Sequence, residues 1–139
     1  MLSPKGKVAV VICPTREIGF AISKEFAENN DATVIVCSRS KQSVVKSTEE
    51  IKGKTLAAEI DVANIYSIKR FLQQILSNHK RIDILINNAG YPYDRKIWYK
   101  KFHEVTDDEV DRIIELIERI CAFIKGSLHS IVQNNQKRR

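Results

Sequence analysis

The 139-residue chain has few cysteines, no long apolar run and no metal-ligand spacing. Cys13, Cys37 and Cys121 are scattered and odd in number. That argues against a disulfide framework and suits free thiols in a reducing compartment, so a cytoplasmic protein is expected. No run of about 18 apolar residues occurs, so no membrane-spanning helix is expected. Residues 1–7 lack the apolar core of a secretion signal. His79, His103 and His129 stand apart from one another and read as solvated surface, with no metal site. Internal repeats and linker-like stretches are absent too, and the length suits one domain over residues 1–139.

What is present is an ordinary globular mixture. The apolar fraction, 43%, is enough for a core. The net charge is +6, which favours anionic partners such as phosphates and nucleotide cofactors. Part of that excess sits in Lys137-Arg138-Arg139, read as a solvated tail.

Periodicity divides the chain cleanly. Residues 7–12, with Val8, Ala9, Val10 and Val11, form a short β-branched run. Residues 33–37 and 55–60 make two more runs of strand type, and residues 82–87 a fourth. Between them lie helical patterns. In residues 16–30 the apolar face is expected to be Ile18, Ala21, Ile22 and Phe26. In residues 41–52 it is Val44, Val45, Thr48 and Ile51. In residues 65–78 it is Ile68, Phe71, Leu72 and Ile75. Residues 90–103 read as a loop rich in aromatics and lysine. A long helix is expected over residues 106–134, with Thr106 as N-cap and Glu109 completing a capping box. Strands alternating with helices imply parallel pairing and right-handed crossovers. The runs do not alternate in polarity, as expected of strands covered on both faces. The fold class that follows is α/β: a doubly wound, Rossmann-like parallel sheet of about four strands with helices on both faces.

The run Ile84-Leu85-Ile86 closes in Asn87-Asn88-Ala89-Gly90. This resembles the strand-four signature, N-N-A-G, of the short-chain dehydrogenase/reductase family. The similarity runs from about Gly6 to the end of the sequence, roughly the first half of a typical member, and is strongest to reductases of the 3-oxoacyl-carrier-protein type. The resemblance implies a site for NADP. Its glycine turn, commonly T-G-x-x-x-G-I-G, corresponds to Ile12-Cys13-Pro14-Thr15-Arg16-Glu17-Ile18-Gly19. Only Ile18-Gly19 matches the end of that pattern. Such a turn brings bare backbone and helix N-terminal amides against a pyrophosphate. Cys13 adds a side chain there, Pro14 removes an N–H, and Glu17 brings a carboxylate towards the phosphates. A like charge ~4–5 Å away costs roughly 3–4 kcal/mol at an effective dielectric near 20. That is two to three orders of magnitude in affinity. Weak or lost dinucleotide binding is therefore expected.

By the same resemblance Ser38-Arg39 follow strand two. NAD-using members usually carry an acidic residue near there, whereas Arg39, helped by Arg16, suits a 2′-phosphate. NADP is thus expected over NAD. Asp61-Val62 correspond to an adenine-contacting pair, and Asn87, Ala89 and Gly90 to positions near the cofactor ribose and the strand-four turn. Asn87 has a second reading, as a tie between neighbouring strands.

The family's proton relay has no counterpart in these residues. It uses a Ser, a Tyr-x-x-x-Lys pair and a helix Asn, the lysine lowering the tyrosine pKa. Four residues after Tyr66, Tyr91, Tyr93 and Tyr99 stand Arg70, Arg95, Ile97 and His103, and Ile117 takes the helix Asn position. No catalytic residue is assigned, and independent oxidoreductase activity is not expected. The expectation is of a truncated domain: strand four is left on the sheet edge, and the last helix carries a wide apolar stripe including Val110, Ile113, Ile114, Ile117 and Ile120. Core packing is expected to take most of that stripe. Together the edge and the surplus point to a homodimer, or to a second chain completing the sheet. Arg95, Lys96, Trp98, Tyr99, Lys100 and Lys101 resemble a nucleic-acid-gripping composition, but the pattern is unspecific and nucleic acid is not the expected partner.

Overall fold

The computed structural model describes residues 3–13, 17–62, 64–88, 99–112, 114–115, 117–118, 121 and 125. Four parallel strands form one sheet: β1 (Val8–Ile12), β2 (Thr33–Ser38), β3 (Thr55–Glu59) and β4 (Ile84–Asn87), in the order β3-β2-β1-β4. Three helices connect them: α1 (Glu17–Lys24), α2 (Lys41–Glu49) and α3 (Ile65–His79). The register is continuous. Ile12 pairs with Cys37 on one side and Asn87 on the other, so three strands end level with one another.

The residues explain the layers. Along β1 and β2 successive side chains point to opposite faces, and both faces are covered. Val8, Val10, Ile12, Ile35 and Cys37 pack with Ile68, Phe71, Leu72 and Ile75 of α3. Val11, Val34 and Val36 pack with Ala27, Val44 and Ile51 on the other face. Burying such an aliphatic side chain contributes roughly 1.5–3 kcal/mol, so these strands anchor the molecule. The doubly wound α/β expectation is met.

Local chemistry sets the helix boundaries. Asn64 caps α3, its Oδ1 accepting from the Tyr66 and Ser67 amides at 2.9 and 3.2 Å. Lys80, with φ +63°, ends it, its amide donating to the Leu76 carbonyl. Ser40 caps α2 by accepting from the Ser43 amide. The Thr106–Glu109 capping box forms as expected: the Glu109 amide donates to Thr106 Oγ1, and the Thr106 amide donates to Glu109 Oε2. Residues 107–112 are helical, as are the described positions beyond them.

Three inward faces differ from the sequence reading. The sheet-facing side of α1 is Gly19, Ser23 and, in the following π-helical turn Glu25–Asn29, Ala27. Ile18 and Ala21 point to solvent, Ile18 at 68% exposure, whereas Phe26 packs against the core as expected, with Phe20 beside it. Small residues let this helix approach the sheet closely, which an apolar-periodicity count misses. On α2, Ser47 is buried where Val45 was expected. Its hydroxyl donates to the Ser43 carbonyl and so can sit inside. In the last helix Val110, Ile114 and Ile117 are exposed at 41%, 47% and 55% rather than packed in a core. Ile113 and Ile120 lie outside the described residues.

β4 stands on the edge of the described sheet, as expected, and its Ile84, Leu85 and Ile86 are half-buried. β3 forms the other edge. Among the described residues no helix is long and apolar enough to cross a membrane.

Candidate nucleotide site

The sheet changes direction of winding between β1 and β4. From β1 the chain steps to β2 and β3 on one side, then crosses by α3 to β4 on the other. In open parallel sheets the crevice outside the strand C-termini at such a point receives ligands. Residues expected from the sequence gather there: Cys13 after β1, Ser38 and Arg39 at the end of β2, Asp61 just past β3, and Asn87 at the end of β4.

Cys13 follows β1, which lies between β2 and β4 in the sheet. Its φ is +56°, the left-handed region a glycine adopts without cost. A non-glycine residue there costs roughly 1–2 kcal/mol. Two hydrogen bonds to its backbone hold it. Its amide donates to the Cys37 carbonyl at 2.7 Å, and its carbonyl accepts from Asn88 Nδ2 at 2.9 Å. The side chain is half-buried and packs against the α3-side core. Burial pushes its thiol pKa up, and the nearby Arg39 guanidinium partly opposes this. Burial also raises the Cys37 thiol strongly, with Cys13 adding to the effect. Both are therefore protonated packing groups rather than nucleophiles. Cys13 thus combines a glycine-like backbone with a side chain packed against the core.

The β2 end is organised around serines. Ser38 is buried, and its Oγ donates to the Ser40 carbonyl while accepting from the Ser40 amide, both at 3.2 Å. Arg39 is exposed, with no ion pair among the described residues. It stands two residues before the first residue of α2 and close enough to Cys13 to affect its thiol. A planar guanidinium beside a capped helix start suits a phosphate.

Past β3, the Ile60 amide donates to the Ser38 carbonyl, extending the sheet to the crevice. The Asp61 amide donates to Ser67 Oγ, and the Asp61 carbonyl accepts from the Asn64 amide. Val62 is buried in the α3-side core, so any ligand contact it makes comes from its backbone. Ile18 is exposed in the first turn of α1, and Gly19 is buried against the sheet. Asn87 is exposed. Arg16, Ala89 and Gly90 lie outside the described residues, as do Pro14 and residues 91–98 of the aromatic, basic loop.

Asn88 was missed by the sequence reading, which gave the strand-tying role to its neighbour Asn87. Its hydrogen bond spans 75 residues in sequence, and nothing local marks it. The one signal was the amide pair after the apolar run, without an indication of which amide reached β1.

A parallel sheet in this order, with helices packed on both faces, defines a Rossmann-type domain. The family follows directly: residues 7–119 match the short chain dehydrogenase model, and the chain belongs to that family. It is 30% identical over 115 residues to an uncharacterized oxidoreductase of Methylorubrum extorquens, covering 81% of this chain and 44% of that protein. It is 27% identical over 130 residues to the 3-oxoacyl-[acyl-carrier-protein] reductase FabG of Buchnera aphidicola, covering 94% and 51%. The chain thus spans about half the length of the curated relatives it matches. Its fold superposes on a metagenomic short-chain oxidoreductase solved in complex with NADP, with TM-score 0.77 and 24% identity, covering 95% of this chain and 59% of that one.

Proposed function

We propose that residues 1–139 form one domain, the dinucleotide-holding half of a short-chain dehydrogenase/reductase, with weak NADP(H) binding and no carbonyl reduction of its own. The observation that carries this reading is the β1 turn. Cys13 holds the backbone conformation of a glycine at the mouth of the crevice, with Arg39 close by. The residues present fit a dinucleotide. By the family pattern Ile18 and Gly19, at the start of α1, would meet the pyrophosphate, and Arg16 would help Arg39 at the 2′-phosphate. Ser38 and Arg39 take the adenosine 2′-phosphate, which favours NADP over NAD. By the same pattern Asp61 and the Val62 backbone would hold the adenine, and Asn87, Ala89 and Gly90 are assigned to the cofactor ribose and the strand-four turn. Bound NADPH would supply a hydride from its nicotinamide. The Tyr-x-x-x-Lys pair that handles the proton in this family has no counterpart among these residues.

The weakness of binding follows from charge. Glu17 opens α1, where a carboxylate favours the helix dipole but repels a pyrophosphate. Calorimetric titration of the purified chain with NADPH and NADH tests the reading. NADPH is expected to bind, and NADH at least about tenfold more weakly. No heat with either cofactor rejects it, as does steady carbonyl reduction by this polypeptide alone.

A second reading is half of a split reductase completed by another subunit, and the exposed apolar surface favours some form of assembly. β4 is an uncharged edge strand of the described sheet, and Val110, Ile114 and Ile117 present apolar surface to solvent. A homodimer formed through these two features is the simplest arrangement. Light scattering that returned a monomer at tens of micromolar would remove it.

A further inference from the structure

We infer that Cys13 and Cys37, free thiols in this structure, form a redox pair that a small-molecule disulfide closes into one protein disulfide, tying the β1 turn to the end of β2. The inference goes beyond the nucleotide reading of the crevice and does not need it. Three observations carry it. The first is distance. Ile12 and Cys37 are register partners on adjacent strands, and the Cys13 amide donates to the Cys37 carbonyl at 2.7 Å. Neighbouring strands lie about 4.8 Å apart, and a disulfide joins Cα atoms about 4.4–6.8 Å apart. The second is direction. Val8, Val10 and Ile12 point to the α3 side of the sheet, so a residue continuing β1 at position 13 would point the other way. The left-handed backbone of Cys13, φ +56°, breaks that alternation, and its side chain packs against the α3-side cluster that contains Cys37. The third is access. Cys13 is half-buried and open to a small reagent, whereas Cys37 is fully buried, its Sγ donating to the Val11 carbonyl at 3.4 Å. Cys13 therefore receives the reagent and Cys37 resolves it.

The exchange balances. The Cys13 sulfur attacks the reagent's S–S bond, forms a mixed disulfide and releases one small thiol. The Cys37 sulfur then attacks the Cys13 sulfur, forms the Cys13–Cys37 bond and releases the second small thiol. Each protein thiol loses its proton as the departing thiolate gains one. The protein pair gives up two electrons, and the reagent's S–S bond takes them. Burial disfavours the thiolate at both positions, so two resting packing groups react slowly. The same lack of a stabilised thiolate favours the disulfide once it has formed.

The test uses the full chain carrying Cys121→Ser, which removes the exposed third thiol. It is incubated with oxidised glutathione at neutral pH, well below its thermal midpoint, then alkylated and read by intact mass and peptide mapping. The expected product has lost two hydrogens, carries no glutathione and yields one peptide pair joined through residues 13 and 37. Dithiothreitol should restore both thiols. In Cys37→Ala the reaction should stop at a glutathione adduct on Cys13, and in Cys13→Ser Cys37 should stay unmodified. A stable adduct on Cys13 while Cys37 is present, or two unreacted thiols after prolonged incubation, would overturn the pair. So would modification of Cys37 in Cys13→Ser as fast as closure in the parent, because Cys37 would then be reached by unfolding and not through Cys13. Saturating NADPH in the same incubation separates the pair from the nucleotide reading. A cofactor seated on the turn should slow closure several-fold. Closure at an unchanged rate would reject nucleotide binding at this turn and leave the redox pair standing.

Discussion

The two ends of the sheet are built differently. At the N-terminal ends of the strands, charges and backbone close on one another. Asp83, just before β4, accepts from the Val8 amide at 2.9 Å and from Arg81 Nε at 2.9 Å, while its own amide donates to the Val8 carbonyl. Lys54, just before β3, pairs with Asp31, which stands just ahead of β2. At the C-terminal ends, Arg39 stands exposed without an ion pair among the described residues, and a single side-chain amide bridges β4 to β1. Among the described residues, one end pairs its charges internally and the other shows an exposed cation with no ion pair. Substitutions at the first should therefore move stability alone, and substitutions at the second should move nucleotide binding.

The largest expected effect is at the open end. Glu17→Gly removes a carboxylate from the start of α1 and restores a glycine that the family pattern has there. NADPH affinity should rise by two to three orders of magnitude, the equivalent of roughly 3–4 kcal/mol of repulsion. Stability should fall by no more than about 1 kcal/mol, from the lost dipole interaction and the added backbone freedom. Calorimetry beside urea unfolding measures both. An unchanged affinity would mean that Glu17 is not the obstacle.

Asp83→Ala should show the opposite signature. It strips a partner from the Val8 amide, a buried position, and should cost roughly 1–3 kcal/mol of stability with no change in any nucleotide affinity. The same carboxylate gives a pH dependence. Burial pushes its pKa up, but the Arg81 hydrogen bond and the Val8 amide outweigh this and hold it below the ordinary carboxylate value. A depressed folded pKa means that the contribution is complete above the unfolded value near ~4 and fades as pH falls through the folded one. Acid titration of the unfolding free energy should thus be flatter in Asp83→Ala than in the parent below about pH 4.

A smaller effect belongs to Arg39. Arg39→Ala should reduce the preference for NADPH over NADH by about tenfold, or roughly 1.4 kcal/mol, and leave the thermal midpoint in place. Loss of stability instead would move Arg39 from the binding end of the comparison to the structural one.

How much of this was legible in the sequence depends on how local each cause is. The α3 face (Ile68, Phe71, Leu72, Ile75) and the Thr106–Glu109 cap follow from spacing alone, and both are as expected. β1 and β2 follow from β-branched runs that are covered on both sides. The face of α1 followed only in part: Phe26 packs against the core as expected, but Gly19, Ser23 and Ala27 are buried for their small size and not for their hydrophobicity. The π-helical turn at Glu25–Asn29 leaves no periodic trace, and Gly53, whose missing Cβ would meet the Ala27 carbonyl oxygen at 2.6 Å, shows why that turn is fitted closely. In the site, Arg39 and Asp61 were readable as residues that follow strands. The φ of Cys13 and the reach of Asn88 were not, since each depends on a neighbour brought in by the sheet.

The smallest expected effect tests whether charge or backbone matters at the closed end. Asp31 has φ +48° and an exposed pair with Lys54 at 2.9 Å. Two features therefore compete to explain an aspartate there. An exposed ion pair contributes little after side-chain ordering and salt screening. The left-handed backbone, by contrast, selects for Asp, Asn or Gly by sterics alone. Asp31 also presents its carbonyl to the Gly6 amide, so its backbone helps join the chain entering β1 to the chain entering β2. Asp31→Asn keeps the backbone preference and removes the charge, and should shift the thermal midpoint by less than about 1 °C at moderate salt. Asp31→Ala removes both and should lower it measurably further. If Asn and Ala were equally damaging, the ion pair with Lys54 would be the stabilising element, and the closed end of the sheet would owe its stability to charge rather than to shape.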